Sequence, residues 1–271
     1  MRVTSRNARF QQWAALLDNR AKRQRRGEFI IQGVRPISEA VRNRWRIREM
    51  LYDAGGPTSR WARETLASTA AARIAVAPEL MHELGGKTGD APELLAVAEL
   101  PADDLARIPA GPDMLTVVFD RPASPGNLGT LIRSADAFGA SGVIVTGHAA
   151  DVYDPRSVRA TTGSLFALPV IRIASHRPVL DWVAAVRAGG TSVRVVGTDE
   201  RGAADVAGVD LTGPVLLLVG NETAGLSAAW RESCDHLARI PMLGRASSLN
   251  AATAASIVLY EAARQRIAAR R

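Results

Sequence analysis

Apolar residues in this chain follow two patterns, short unbroken runs and helical spacing. Residues 7–22 place Phe10, Trp13, Ala14, Leu16 and Leu17 on one stripe, which predicts an amphipathic helix. The run Phe29–Ile31 predicts a buried strand, and Pro36 opens a helix through Asn43. Further strands are expected at Ile47–Tyr52, Arg73–Val76 and Leu94–Leu100. Helices over Thr58–Ala70, carrying Trp61 and Leu66, and over Pro78–Leu84 separate them. This alternation predicts a small α/β domain over residues 1–100. Residues 101–112 hold Pro101, Pro109, Gly111 and Pro112 with weak periodicity, the composition of a linker.

From residue 113 onward the pattern changes. Met114–Phe119, Gly142–Val145, Val193–Val196 and Val215–Val219 are continuous apolar runs, as strands covered on both faces would be. Helical spacing appears at Leu128–Phe138, Val179–Arg187 and Ala228–Glu232. The expectation is a second α/β domain over 113–271, built on a mainly parallel sheet. Near its end, Ile240 closes a short apolar strand that leads through a small-residue loop into a long helix. Ser247 or Ser248 is the natural N-cap there. Ala251, Ala252, Ala254 and Ala255 let another backbone or a flat ligand approach closely. Arg264, Arg266, Arg270 and Arg271 follow, so this helix reads as buried first and solvated last.

Charge adds a partner to this outline. The chain of 271 residues carries a formal net charge of +7, unevenly placed. The first 50 residues hold 13 Lys and Arg against 4 Asp and Glu, a net of +9; the remainder, 21 against 23, is at −2. Such asymmetry suits a polyanion, with nucleic acid first in line and a solvated basic tail as the alternative. No apolar run approaches the roughly 18 residues of a membrane span. The first residues lack the apolar core of a secretory signal. Cys234 is the lone cysteine, which excludes an internal disulfide and fits a reducing cytoplasm. Cys234 and His236 are too few for a zinc site, and His82, His148 and His176 are scattered, so no metal is expected. Gly85, Gly86, Lys87 and Thr88 resemble the end of a phosphate loop, but Met81 stands where that motif needs a glycine. Dinucleotide and serine-hydrolase fingerprints are missing as well.

Three segments carry candidate chemistry, each leaving an apolar run for a loop of small residues. The first runs from Asp120 through Pro122, Pro125 and Gly126 to Asn127, Gly129 and Arg133; the arginine projects from an otherwise apolar helix. The second is Gly220, Asn221, Glu222, Gly225 and Leu226, with a carboxylate at a strand's end. The third is Ile240, Pro241 and Met242, followed by Ser248, Leu249 and Asn250. Loops at the carboxyl ends of parallel strands are where open α/β sheets bind ligands, so one shared pocket is expected.

In order and spacing these segments resemble the three motifs of the SpoU/TrmH RNA ribose methyltransferases, strongly over about residues 113–266. Residues 5–100 resemble more weakly the RNA-binding N-terminal domain of the ribosomal-RNA members, through Lys22–Gly27, Gly33 and Ala40. After Asn250 the residues Ala251, Ala252 and Thr253 depart from the commoner pattern but stay small. The resemblance implies S-adenosyl-L-methionine-dependent methylation of a ribose 2′-oxygen. It also implies a parallel sheet tied in a C-terminal trefoil knot, and a homodimer. By position, Thr198, Gly220, Ile240, Met242 and Leu249 would hold the cofactor, while Asn127, Arg133, Glu222, Ser248 and Asn250 fall on active-site positions. A guanidinium keeps its proton, so Arg133 is expected to grip phosphate or ribose and to stabilise alkoxide charge, with Asn127 and Ser248 holding the arrangement. Lys22, Arg23, Arg25 and Arg26 are expected on RNA phosphates. Ribosomal RNA is favoured over tRNA because the small tRNA-acting members lack the N-terminal domain. A non-catalytic RNA-binding relative and an α/β enzyme for a small acidic metabolite remain the alternatives.

Overall fold

The apolar runs become strands and the periodic stretches become helices, with shifts of a few residues at their ends. The structure is a computed structural model that describes residues 1–56, 59–86 and 91–270. Thr58, Lys87, Thr88 and Arg271, named above, lie outside the described residues. In chain order the elements begin β1 (Arg2–Val3), α1 (Ala8–Asp18), α2 (Arg20–Arg26), β2 (Glu28–Gln32), α3 (Val34–Arg42) and β3 (Ile47–Asp53). They continue with α4 (Arg60–Ser68), β4 (Ala72–Val76), α5 (Pro78–Gly85), β5 (Leu94–Glu99), β6 (Leu115–Asp120), α6 (Pro125–Ala137) and β7 (Gly142–Thr146). The last are α7 (Pro155–Ala160), β8 (Val170–Ile173), α8 (His176–Ala188), β9 (Arg194–Thr198), β10 (Ala204–Asp205), β11 (Val215–Val219), α9 (Ala228–Glu232), β12 (His236–Arg239) and α10 (Ala251–Ala269).

Two compact units result. The first comprises Met1–Pro101 with Asp151–Ala167, the second Ala102–Ala150 with the chain from Leu168 onward. The domain expected over 113–271 is therefore interrupted. Residues 151–167 pack into the first unit: Tyr153 lies 4.8 Å from Phe29 between ring centroids, and Phe166 meets Trp45 edge-on at 4.9 Å. The expected linker, apart from Pro101, groups with the second unit, contributing a 3-10 turn at Leu105–Arg107 and the buried Ile108.

The first unit is a mixed sheet, β1-β4-β3-β5-β2, with β5 antiparallel to both its neighbours. Phe10, Trp13 and Leu16 of α1 enter its core beside Ile30, Leu51 and Ile74. An 11-residue helix is marginal alone, and burial of about 1.5–3 kcal/mol per large side chain is what holds it. The single helix expected over 7–22 breaks at Asn19. That side chain accepts from the Lys22 amide and starts α2 as a new helix.

In the second unit every strand pair is parallel, in the order β10-β12-β9-β11-β6-β7-β8. β6, β7 and β11 are buried along their whole lengths, as their unbroken apolar runs require. The sequence pattern did not mark β8, β10 or α7, and β12 ends one residue before Ile240. The order places the loops after β6, β9, β11 and β12 on neighbouring strands at one edge of the sheet.

Candidate functional site

At that edge α6 begins, and its start is the organising feature. Ser124 caps the helix by accepting from the Asn127 amide, and Pro125 occupies the first turn, where a missing N–H costs nothing. The free amides of Ala123 and Ser124 donate to the Glu222 carboxylate at 2.9 and 3.0 Å, from the loop after β11. Glu222 Oε1 also accepts from Asn127 Nδ2 at 3.1 Å, and Asn127 Oδ1 accepts from Asn250 Nδ2 at 3.0 Å. Asn250 Oδ1 in turn accepts the amides of Ala252 and Thr253, which makes Asn250 the N-cap of α10. The expected caps, Ser247 and Ser248, sit too early. Asn250 accepts and donates through two separate atoms, Oδ1 turned to the helix amides and Nδ2 to Asn127, a span that the single oxygen of a shorter serine side chain does not offer. One continuous set of hydrogen bonds thus joins the three segments.

Partial burial works against the charged form of Glu222, but the amide donors and the Asn127 side chain outweigh it and hold the carboxyl below the usual carboxylate range. Arg133 lies two turns into α6, exposed, and among the described residues its guanidinium has no hydrogen bond or ion pair. The Ser248 hydroxyl is likewise exposed and without a partner among the described residues.

Beside this set lies a cavity of about 330 Å³ lined by Thr198, Gly220, Ile240, Met242 and Leu249, the five residues expected to hold the cofactor, and also by Glu222 and Ser248. Asn127, Arg133 and Asn250 do not line it. Asp199, Arg201, Arg231, Ala251 and Ala254 also line it, as does the loop from Asn221 to Gly225. The alanines carried a signal in the small-residue start of α10; Asp199, Arg201 and Arg231 carried none. Thr198 Oγ1 is spent on the Leu218 carbonyl, to which it donates at 3.1 Å. Gly220 has a tighter reason than ligand approach. A Cβ there would lie 2.3 Å from the Gly225 carbonyl carbon and the Leu226 nitrogen, so the loop closes on itself only over glycine.

In the first unit the basic cluster splits. Lys22 and Arg25 are exposed with no partner among the described residues, and Arg26 pairs with Glu28 at 3.0 Å. Arg23 corrects the expectation that it contacts RNA. It is 2% exposed, donates to Asp151 at 2.8 Å and to the carbonyls of Leu16 and Leu17 at 2.7 and 3.1 Å. Those carbonyls end α1 and lack helical partners, which is why a guanidinium fits there. Among the described residues no three His, Cys, Asp or Glu side chains gather as a metal site, and no helix is long and apolar enough to cross a membrane.

A parallel α/β sheet whose carboxyl-end loops are cross-linked in this way belongs to a known class. Residues 114–260 match the SpoU rRNA Methylase family and residues 7–96 the SpoU L30e-like domain; the chain belongs to the SpoU rRNA methylase family. It is 61% identical to a 23S rRNA (uridine(2479)-2′-O)-methyltransferase of Streptomyces viridochromogenes, over 99% of this chain and 94% of that protein. The crystal structure of the SpoU methyltransferase AviRb from Streptomyces viridochromogenes, in complex with the cofactor AdoMet, superposes with a TM-score of 0.93 at 61% identity, covering 97% of this chain and 99% of that one. An AdoMet-bound rRNA methyltransferase from Sinorhizobium meliloti gives 0.86 at 32% identity, with 97% of each chain covered. The family uses S-adenosylmethionine, and the cavity suits it. Its size is that of a small-molecule site, Ala251, Ala254, Ile240 and Leu249 give a flat apolar wall, and both charge signs are present for a zwitterionic tail.

Proposed function

We propose that this chain transfers a methyl group from S-adenosylmethionine to a ribose 2′-hydroxyl of ribosomal RNA, with a 23S uridine as the first position to test. The observation that carries the reading is the hydrogen-bonded run Glu222–Asn127–Asn250 beside the cavity, with Arg133, unpaired among the described residues, on the same helix as Asn127. The cofactor supplies a methyl group on a good leaving group, so the protein mainly orients. Orienting the 2′-hydroxyl toward the bound cofactor would fall to this chain's own residues, and the hydroxyl's proton would pass to solvent water as its oxygen takes the methyl group. Arg133 stays protonated, so it donates to the target phosphate or ribose and offsets negative charge developing on the 2′-oxygen. Glu222 is a positioning residue: its lone pairs are taken by the start of α6, and a carboxyl below its usual range is a poor acceptor for an alcohol proton. Asn127 and Asn250 hold the loops in register, and Ser248 offers its free hydroxyl at the cavity.

Lys22, Arg25 and Arg26 are proposed to meet RNA phosphates, and the first unit is proposed as the RNA-binding domain. We also infer a homodimer, supported by an apolar groove of about 720 Å³ around Phe138, Tyr260 and Ile267 on α6 and α10. A trefoil knot is supported by the interleaved order of β9, β10, β11 and β12. A cytoplasmic setting is supported by the family's ribosomal RNA substrate class and by a sequence whose lone cysteine is Cys234. Calorimetry with S-adenosylmethionine, followed by mass mapping of ribose methylation on ribosomal RNA, tests the function. Cofactor binding with one new methylated ribose is expected. A chain that ignores the cofactor overturns the reading, and methylation of tRNA alone moves the substrate.

A further inference from the structure

Arg121 stands at the turn where β6 gives way to the loop before α6, in the left-handed region at φ 52, unusual for a residue with a side chain. Strain of this kind persists only where surrounding contacts over-determine it, and Arg121 has many. Its amide donates to the Thr146 carbonyl at 2.9 Å, and its carbonyl accepts from Asn221 Nδ2 at 2.7 Å. Its guanidinium pairs with Asp120 at 3.0 Å and donates through Nη2 to the Gly225 carbonyl at 3.2 Å. Asp120, 3% exposed, also takes the Ser227 amide at 3.1 Å and the Thr146 hydroxyl at 3.1 Å. Gly147 leaves room for the aliphatic stem: a Cβ there would lie 2.7 Å from Arg121 Cγ.

The loop this arginine grips is the cavity wall. Asn221 and Gly225 bond each other's backbone at 3.0 Å in both directions, and Asn221 Oδ1 accepts the amides of Thr223 and Ala224. The loop's shape is therefore set internally; its seat on the segment 120–124 is not. That seat rests on the Glu222 carboxylate at one end and on Arg121 at both: its carbonyl holds Asn221, its guanidinium Gly225.

We propose that Arg121 is a positioning residue for the methyl-transfer site: it seats the 220–225 loop so that the cofactor cavity is preformed, without touching cofactor or RNA. This role rests on the methyltransferase function proposed for the chain. Three variants separate the seat from the strain. Arg121→Gly removes the guanidinium and relieves the backbone, Arg121→Ala removes the guanidinium and keeps the strained φ, and Arg121→Lys keeps a cation able to reach Asp120 or Gly225. Affinity for S-adenosylmethionine is read by calorimetry, thermal stability by melting, and kcat and KM by methyl transfer to ribosomal RNA.

The expected result is affinity about tenfold weaker in both Arg121→Gly and Arg121→Ala, and within about threefold of wild type in Arg121→Lys. KM for the cofactor rises in step while kcat at saturation changes by less than about threefold. Melting follows a different order, with Arg121→Gly above Arg121→Ala. If affinity follows melting instead, with Arg121→Gly binding as wild type does, the residue is only a strained structural position and the proposal is overturned. Unchanged affinity in all three variants overturns it too. Failure of the wild-type chain to bind the cofactor is a separate result, which sinks the functional reading itself.

Discussion

Arg23 of helix α2 and Arg133 of helix α6 are used in opposite ways. Arg23 is buried with its donors spent on Asp151 and on the end of α1, so it acts in folding. Arg133 is exposed with its donors unspent among the described residues, so it is available to a ligand. The difference lies in the neighbouring backbone. α1 ends in orphan carbonyls that attract a cation, while α6 begins in orphan amides that have already taken Glu222. A basic residue is most available to a ligand where the fold has left its donors unspent.

The largest effect is expected where a charge is most enclosed. Arg23→Ala leaves Asp151 buried and without its cation and should cost about 3–5 kcal/mol of stability, read by denaturant unfolding. A loss under about 1 kcal/mol would erase the contrast between the two helices. Next, Arg133→Ala should keep cofactor affinity but lower single-turnover methylation at least about 100-fold, near 2.7 kcal/mol of barrier. Turnover within about tenfold of wild type would remove Arg133 from the chemistry. Asn250→Ala deletes the cap of α10 and should cost about 1 kcal/mol of stability, together with looser cofactor binding. Asn250→Ser should restore the cap but not the bond to Asn127, which separates the two contributions.

Glu222 sharpens the comparison through pH. Its carboxyl is held below the ordinary value of 4.5, so its share of stability is complete above that value and is lost as pH falls through the depressed folded value. Melting temperature against pH should show a shallower acid limb in Glu222→Gln than in wild type; parallel limbs would mean that the amide donors do not hold the charge. The smallest change is expected in Lys22→Ala with Arg25→Ala, which should leave stability within about 0.5 kcal/mol. Their effect belongs to RNA: the slope of log affinity against log salt should fall by about 0.7–0.9 for each phosphate no longer neutralised. An unchanged slope places the RNA path elsewhere.

Much of this was legible before any coordinates. Val215–Val219 and Leu115–Phe119 are almost wholly apolar, so they had to be strands covered on both sides, and the loops that follow them had to open at a sheet edge. Asn127, Glu222 and Asn250 stood out because small-residue loops carried each of them. The hydrogen bonds among the three were not legible, since they join residues about a hundred positions apart. The insertion of 151–167 was equally hidden. Its aromatic side chains look like any core-forming stretch, and only packing shows that their core is the first unit's.

The sequence by itself determined most of the helices and strands though not β8, β10 or α7, where the chain is basic, and which loops bear polar groups, because periodicity, local propensity and charge are properties of neighbours along the chain. Tertiary structure alone decided which arginines are free, which asparagine caps α10, and that Arg121 holds a loop belonging to the neighbouring strand. Those are questions of whether a donor's partner has already been supplied, and the partners here come from distant residues that only folding brings within about 3 Å.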